Sequence, residues 1–214
     1  MFEQEKNDLI KTGQALKENN LISLSGGNVS CRVDGDRFLV TPSGMAYEGM
    51  VPDDIVILDI DGNVLEGTKR PSVDSIALLH VYKNMSRVNA IIHTHQPYAT
   101  AVGMVYDKIP PCVTTLANAV QGVVHVAPFS SAASLAMGEE TVNHIGDANA
   151  VILKNHGVIT VGATIKEALY AAVYMEDALK TLFIAQSMGT PQLMTDAQYQ
   201  EAIEVFQDYG QKKE

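Results

Sequence analysis

The sequence predicts a single α/β domain in which amphipathic helices pack in layers on a mainly antiparallel sheet. Short polar turns at residues 34–36 and 61–63 join strands that are adjacent in the sequence, and such turns connect antiparallel neighbours. Segments with an apolar face at helical spacing provide the covering layers. The chain has 214 residues and shows no linker, low-complexity segment or internal repeat, so we expect one domain over residues 1–214.

The first third of the chain is predicted to form a helix and two hairpins. Apolar residues at helical spacing indicate a surface helix over residues 2–18. Apolar residues alternate with polar ones on both sides of the first turn, which indicates paired strands at 29–33 and 38–40. Strands at 55–60 and 64–65 flank the second turn in the same way.

The first internal helix is expected to begin near Ser72, whose hydroxyl is placed to cap it, with Asp74 in its first turn. Ile76, Leu79 and Tyr82 recur at helical spacing and are predicted to face the core. The elements expected after it are, in order, a buried strand at 89–95, a short helix from Pro97 to about Val105, a strand at 123–127, a helix capped by Ser130 and Ser131 that ends near Ile145, a hairpin at 150–154 and 158–161, a long helix that begins at the capping box of Thr164 and Glu167 and ends near Gly189, and a helix from about Thr195 to Asp208.

Two histidines at the end of the buried strand provide half of a candidate metal site. Side chains on a strand alternate between its faces, so the single residue between His93 and His95 places both imidazoles on the same side. His156, at the tip of the later hairpin, is a third candidate, and Asp74 is a candidate carboxylate. Three neutral imidazoles with an open or carboxylate-filled fourth position are typical of catalytic zinc. By themselves, His93 and His95 are equally well explained as a polar edge or a hydrogen-bonded core pair.

Three loops contain groups that could surround an anion. They are Gly26-Gly27-Asn28, Ser43-Gly44 and Ser72, where glycines allow close approach of the backbone and N–H or hydroxyl groups can donate to phosphate oxygens. Taken singly, each loop is explained by turn formation alone. Together with the histidines, they form a pattern that carries a family resemblance.

The composition limits the classes of partner. The formal net charge is -10, which argues against wholesale nucleic-acid binding and against attachment to an anionic membrane. A phosphate site in such a chain must be built mainly from backbone amides, hydroxyls and a metal ion. The N-terminal residues lack a signal-peptide pattern, no apolar run reaches membrane-spanning length, and the two cysteines form no Cys-x-x-Cys motif. We therefore expect a cytoplasmic protein.

The family resemblance rests on six motifs in a fixed order. They are Gly26-Gly27-Asn28-Val29-Ser30, Thr41-Pro42-Ser43-Gly44, Arg70-Pro71-Ser72-Val73-Asp74, His93-Thr94-His95, Asn155-His156-Gly157 and Phe206-Gln207-Asp208-Tyr209-Gly210. As an ordered set with matching separations, the six motifs are highly specific for one family. Over nearly its whole length the chain resembles the class II aldolase and adducin-head family, and it is most similar to sugar-phosphate aldolases of the L-fuculose-1-phosphate aldolase type.

The resemblance assigns roles to individual residues. It implies that one Zn²⁺ per subunit is bound by His93, His95 and His156, with Asp74 as the associated carboxylate and catalytic acid/base. It implies that Tyr209, in the C-terminal tail, is the second catalytic residue. The residues that the resemblance implies for the substrate phosphate are Gly27, Asn28, Ser43, Gly44 and Ser72.

The resemblance also implies an architecture and an activity. The fold is expected to be a three-layer α/β/α domain, assembled as a homotetramer with active sites between neighbouring subunits. The reaction is expected to be zinc-dependent cleavage of a ketose 1-phosphate, L-fuculose 1-phosphate or a related deoxyketose or pentulose 1-phosphate, to dihydroxyacetone phosphate and an aldehyde. L-ribulose-5-phosphate 4-epimerisation and methylthioribulose-1-phosphate dehydration remain alternatives. A non-enzymatic interaction module, like the adducin head, is the third alternative.

Four positions depart from the pattern of the aldolases. Val73 stands where a second serine is usual, so one hydroxyl for the phosphate is lacking. Asp74 is one methylene shorter than the usual glutamate and matches the related epimerases. Thr114 replaces an expected aldolase tyrosine, and Asn118 replaces the acid expected of an epimerase. Because Tyr209 matches the aldolases, the set favours retro-aldol cleavage over epimerisation.

Overall fold

The computed structural model describes residues 1–205 and has the α/β architecture predicted from the sequence. Within that range the chain contains a 3₁₀ turn at Pro52–Asp54 and the following elements in order: α1 (Glu3–Glu18), β1 (Asn28–Asp34), β2 (Arg37–Val40), β3 (Val56–Asp59), β4 (Val64–Glu66), α2 (Ser75–Asn84), β5 (Ala90–Thr94), α3 (Pro97–Val105), α4 (Thr114–Val120), β6 (Val126–Ala127), α5 (Leu135–Ile145), β7 (Ala150–Leu153), β8 (Gly157–Gly162), α6 (Ile165–Met188) and α7 (Asp196–Val205).

The strands of this part of the chain form one eight-stranded sheet in the order β4-β3-β2-β1-β5-β8-β7-β6. Neighbouring strands are antiparallel except β6 and β7, which are parallel. The two hairpins predicted for the first third are β1–β2 and β3–β4, and the later hairpin is β7–β8. The sheet is therefore mainly antiparallel, as the short turns indicate.

Helices cover both faces of the sheet. On β5, Ile91 packs in an apolar cluster with side chains of α2 and α5, whereas Ala90 and Ile92 pack in another with side chains of α1 and α6. Toward β7, the second face is covered by α3, α4, α6 and α7. Because successive strand side chains point to opposite faces, this division gives three layers and confirms the α/β/α arrangement.

The central strand β5 brings distant segments together. On one side Asn28 of β1 is paired with His93, and on the other Ile159 of β8 is paired with the same histidine. Thr94 is paired with Val158, so the turn between β7 and β8 lies beside the end of β5. Candidate side chains from three segments of the sequence therefore meet at one end of the central strands.

The start of α5 differs from the prediction. The helix begins at Leu135, and its cap is Ser134, whose Oγ accepts a hydrogen bond from Met137 N at 3.3 Å. Ser130 and Ser131, predicted to cap it, lie in the preceding loop. All three serines satisfy the same capping preference, so the local sequence does not select among them.

Two further differences concern helices that depend on their packing. Helix α4 was not predicted, and its Leu116 and Val120 are buried against α6 and α7. In α2, Leu79 and Tyr82 are buried as expected, but Ile76 is 49% exposed. A short or amphipathic segment acquires its buried face from the neighbours it meets, which local spacing does not specify.

Helix α6 begins at the predicted cap Thr164, but the Glu167 side chain binds the N–H of the residue before the cap rather than that of Thr164 itself. Thr164 Oγ1 accepts a hydrogen bond from Glu167 N at 3.2 Å, and the Glu167 carboxylate accepts one from Ala163 N at 2.9 Å. Buried alanines allow this helix to pack on β5 and β8. Among the helices within residues 1–205, none is both long and apolar enough to cross a membrane.

Gly138 lies where α5 packs against α2. A β-carbon there would be 2.7 Å from the Ala77 carbonyl oxygen and 2.9 Å from His80 Cβ. We predict that Gly138→Ala destabilises the protein by about 1–3 kcal/mol because the helices must separate. The same change inside a helix normally stabilises by about 0.5–1 kcal/mol. Equilibrium unfolding in urea measures the difference.

The control is Glu139→Ala, at the exposed next position of the same helix. It should change the free energy of unfolding by less than about 0.5 kcal/mol. A Gly138→Ala variant that is more stable than the parent would contradict the close packing of α5 on α2.

Candidate active site and metal centre

His93 is the buried centre of the site. Alternation along β5 places it on the same face as Ile91, which is the face covered by α2. Its Nδ1 lies 2.9 Å from the carbonyl oxygen of Val158. Because a carbonyl can only accept, Nδ1 carries the proton and donates, and the lone pair of Nε2 is left for a ligand.

The electrostatic environment keeps two of the histidines neutral. Burial lowers the pKa of His93 from 6.5 to about 4; Asp74 opposes the shift, while His95 and His156 add to it. Burial is also the main reason that the pKa of His156 is lowered, and His95 contributes to it. A metal ion binds neutral imidazole, so these shifts keep both rings in the form that can act as a ligand at neutral pH.

His95 lies just beyond the end of β5 and is exposed. Its Nε2 is 3.1 Å from Nε2 of His93, and the two rings meet edge-on with their centroids 4.8 Å apart. The imidazoles lie on the same side of the strand, as the alternation predicts.

His156 comes from the turn between β7 and β8. Asn155 has a φ of 59°, a left-handed conformation that asparagine tolerates and that reverses the chain. The His156 ring centroid is 4.8 Å from that of His93 and 5.3 Å from that of His95. Its Nδ1 is buried without a hydrogen-bond partner among the described residues. Such a nitrogen is costly to bury unless it binds something.

The three imidazoles fit a divalent metal ion. Their ligand atoms all lie within 4.8 Å of one another. Two nitrogens bound to one tetrahedral zinc are about 3.4 Å apart, so small side-chain rotations would close the cluster on an ion. Over residues 1–205 no other group of three or more His, Cys, Asp or Glu side chains meets the same condition. His80, His125 and His144 are outside the cluster, as predicted.

Asp74 is a buried carboxylate at the start of α2, 7% exposed. Its Oδ2 accepts a hydrogen bond from Asn28 Nδ2 at 2.9 Å, and its Oδ1 accepts one from Ala133 N at 3.0 Å. Its negative charge partly offsets the lowering of the pKa of His93 and His156 by burial, as expected for a carboxylate near the imidazoles. Two donors from separate segments thus orient this carboxylate beside the three histidines.

Two residues predicted to bind phosphate have structural roles here. Asn28 donates to Asp74, and its Oδ1 is buried without a partner in the described chain. Gly27 has a φ of 75°, and a β-carbon there would be 2.5 Å from the His93 carbonyl oxygen. The close contact with β5 therefore requires glycine at this position whether or not a phosphate binds.

The remaining predicted phosphate residues lie on two joined loops. Ser43 N donates to the Arg70 carbonyl oxygen at 2.9 Å, and Ser72 N donates to that of Thr41 at 3.1 Å. These bonds place Ser43, Gly44 and Ser72 on neighbouring loops. Because both serine amides are already used, a phosphate here would be bound by the serine hydroxyls and the exposed Gly44 backbone.

The structure also shows where the remaining positions that depart from the family pattern lie. Val73 is 46% exposed beside Ser72, so a hydroxyl at this position would face outward from the same loop. Thr114 begins α4, and Asn118 lies within that helix. Tyr209 lies outside the described residues.

Two backbone groups that the sequence analysis missed complete the site. The Ala133 N–H binds Asp74, and the Val158 carbonyl orients His93. Ala133 has a φ of 57° and belongs to the segment that was predicted to be helical. Backbone groups carry no side-chain signature, so no motif in the sequence indicated these contacts.

Fold and site together define a class of protein: a three-layer α/β/α domain in which three histidines and a carboxylate suited to a metal ion meet at one end of the central strands. Residues 7–183 match the family model described as Class II Aldolase and Adducin N-terminal domain. The chain belongs to this family, and it is an enzyme of the class II aldolase group.

Individual relatives match over most of their length. A 5-deoxy-D-ribulose 1-phosphate aldolase of Bacillus thuringiensis serovar kurstaki is 29% identical over 214 residues, which are 99% of this chain and 100% of the relative. An L-fuculose phosphate aldolase of Methanococcus maripaludis is 32% identical over 181 residues, 85% of this chain and 97% of the relative. A solved L-fuculose 1-phosphate aldolase superposes with a TM-score of 0.91 at 28% identity, covering 97% of this chain and 98% of the other. The predicted fold is thereby confirmed.

We predict that His95→Ala loses Zn²⁺ on dialysis, because removing one of the three imidazoles weakens binding of the ion. His95 is exposed, so its truncation should leave the fold intact. Elemental analysis after dialysis measures the metal, and thermal unfolding monitors the fold. His125→Ala removes an exposed histidine outside the cluster and should retain full metal content. Full metal content in His95→Ala would remove that residue from the ligand set.

Proposed function

We propose that this protein is a zinc-dependent aldolase that cleaves a ketose 1-phosphate to dihydroxyacetone phosphate and an aldehyde. The observation that carries the proposal is the convergence of three imidazoles beside the buried, doubly hydrogen-bonded carboxylate of Asp74. The substrate is L-fuculose 1-phosphate or a related deoxyketose or pentulose 1-phosphate. The names of two relatives, an L-fuculose phosphate aldolase and a 5-deoxy-D-ribulose 1-phosphate aldolase, support this class.

In this proposal His93, His95 and His156 hold the zinc ion, and Asp74 is an additional ligand. Zinc bound there supplies Lewis-acid stabilisation of the negative charge that develops on the ketone oxygen. His93 is held for this role by the Val158 carbonyl, which fixes the tautomer with its lone pair on Nε2. No lysine is needed to form a Schiff base.

Asp74 is proposed to handle the proton at C3 of the sugar. When the bond between C3 and C4 breaks, the C4 hydroxyl gives up its proton to the Asp74 carboxylate, with Tyr209 assisting, and C4 becomes the aldehyde carbon. The electron pair of the bond moves toward the C2 carbonyl, and C3 takes up a proton to give dihydroxyacetone phosphate. Asp74 delivers that proton from a direction set by Asn28 and Ala133. Tyr209 is proposed to assist the proton transfer at the aldehyde oxygen.

The phosphate group is proposed to bind at Gly27, Asn28, Ser43, Gly44 and Ser72. The loops of Ser43 and Ser72 are held together by backbone hydrogen bonds, which supports a common site. The Ser72 hydroxyl accepts from Asp74 N at 3.3 Å, which leaves its own proton available to donate to a phosphate oxygen. Neutral donors of this kind suit a chain with a net charge of -10.

The assembly and the cellular location are proposals that follow the family resemblance. We infer a cytoplasmic homotetramer in which active sites lie between subunits.

L-ribulose-5-phosphate 4-epimerisation is the second candidate function. The observation that favours it is the aspartate at position 74, where the aldolases usually carry glutamate. Asn118 argues against it, because the epimerases carry an acid at that place. Methylthioribulose-1-phosphate dehydration would start from the same type of substrate, but no residue described here favours it. The complete set of three histidines argues against a purely structural, adducin-like role.

The distinguishing experiment is a product assay with the purified, zinc-loaded protein. We expect dihydroxyacetone phosphate to be released from L-fuculose 1-phosphate or 5-deoxy-D-ribulose 1-phosphate, detected by coupled reduction of the product. Exhaustive chelation should abolish the release, and added Zn²⁺ should restore it. Asp74→Asn keeps the shape of the side chain and should lower kcat by about 10²–10⁴-fold. Epimer formation from L-ribulose 5-phosphate without any cleavage would reverse the assignment.

Val73→Ser tests the phosphate site. The substitution restores a hydroxyl on an exposed position next to Ser72. A hydrogen bond to a charged group is worth about 1.5–3 kcal/mol, so we expect KM for the sugar phosphate to fall by about tenfold or more with little change in kcat. Steady-state kinetics measures both. Val64→Ser, at a comparably exposed position on the edge strand β4, is the control and should leave KM unchanged. An unchanged KM in Val73→Ser would place the phosphate elsewhere.

A further inference from the structure

The metal-ligand candidate His95 has no support from regular secondary structure. Strand β5 ends at Thr94 and α3 begins at Pro97, so His95 and Gln96 form a two-residue connection between them. His93, in contrast, lies within the sheet and is paired on both sides. The direction of the His95 side chain therefore depends on what holds this connection in place.

Glu176 of α6 holds the connection at the start of α3. Pro97 has no N–H, and the next two residues donate to the Glu176 carboxylate, Tyr98 N to Oε1 at 2.9 Å and Ala99 N to Oε2 at 3.0 Å. Gln96, the N-cap residue, makes no side-chain capping bond. The first N–H donors of the helix thus depend on a carboxylate from another helix, and the positive end of the helix dipole favours its charge.

Gln96 ties the same connection to α6 and to β5. Its Nε2 donates to the Ala172 carbonyl oxygen at 3.2 Å, and its Oε1 accepts from Thr94 Oγ1 at 2.7 Å. Ala172 precedes Glu176 by one helical turn, so both contacts come from one face of α6. Thr94 and Gln96 are buried and are the two direct neighbours of His95. The residues on both sides of His95 are therefore hydrogen-bonded to each other, and Gln96 is held by α6, the helix that also carries Glu176.

We propose that Glu176 is a positioning residue for the metal centre: by clamping the N-terminus of α3, it holds the backbone that directs His95 toward His93 and His156. This inference rests on the metal site of the proposed function and extends it to a helix that carries none of the six motifs. A ligand held in its bound direction loses less freedom when the ion binds. Loosening the clamp should consequently weaken metal binding while His93 and His156 keep their own supports.

Glu176→Gln is the test because it keeps the size of the side chain but replaces one of two acceptor oxygens with an N–H₂ group facing a backbone N–H. We expect the Kd of the metal-free protein for Zn²⁺, measured by competition with a chromophoric chelator, to rise about tenfold or more. The visible absorption of the Co²⁺-loaded protein should also change, since it reports ligand geometry. A purely structural role in α6 would lower the unfolding temperature without altering that spectrum.

Glu167→Gln is the matched control. Glu167 belongs to the same helix, and its carboxylate also accepts a backbone N–H, that of Ala163 at 2.9 Å, but at the exposed first turn. The affinity for Zn²⁺ and the Co²⁺ spectrum of this variant should equal those of the parent. Circular dichroism of every variant shows whether the fold is retained.

Glu176→Asp provides a second test that keeps the negative charge but draws the carboxylate one methylene back from Tyr98 N and Ala99 N. It should weaken Zn²⁺ binding and alter the Co²⁺ spectrum in the same direction, and it decides the matter if Glu176→Gln does not fold. If the variants fold and their Zn²⁺ affinity and Co²⁺ spectrum equal those of the parent, this inference is overturned. The proposed metal site would be unaffected by that result. A parent protein that binds neither Zn²⁺ nor Co²⁺ would overturn both the proposed function and this inference.

Discussion

The register of β5 against its two neighbours is the constraint on which the site depends. Backbone hydrogen bonds pair His93 with Asn28 of β1 and with Ile159 of β8. A shift of one residue would turn His93 to the opposite face, away from α2 and Asp74. The apolar residues Ile91 and Ile92 resist such a shift, because each is buried in the cluster on its own face. The packing of the core and the direction of the metal-ligand candidates are thus set by the same pairing.

The two buried ionisable residues near the end of β5, His93 and Asp74, are each satisfied by hydrogen bonds. His93 is buried in its neutral form, with Nδ1 bound to a carbonyl and Nε2 lying 3.1 Å from Nε2 of His95. Asp74 is buried as well, but two N–H donors share the cost of desolvating its carboxylate. A site built in this way uses neutral imidazoles, amides and hydroxyls, which agrees with the acidic composition of the chain.

Local patterns were sufficient where the relevant interaction is local. The alternation of side chains placed His93 and His95 on the same side, and the Thr164 capping signal marked the start of α6. The choice among Ser130, Ser131 and Ser134 for the cap of α5 was wrong because each has the same intrinsic preference. Ile76 fits the apolar spacing of α2, yet α5 and the sheet cover the other side of that helix.

By itself, the sequence determined the α/β class, the two early hairpins, the central strand and the residue types of the candidate site, because periodicity and turn chemistry are properties of neighbouring residues. Only the tertiary structure decided that Ala133 meets Asp74, that Val158 orients His93 and that Glu176 clamps the start of α3. The physical reason is that these contacts join segments distant in the chain and use backbone N–H and C=O groups. Every residue type except proline carries both groups, so only the path of the folded chain selects which ones meet.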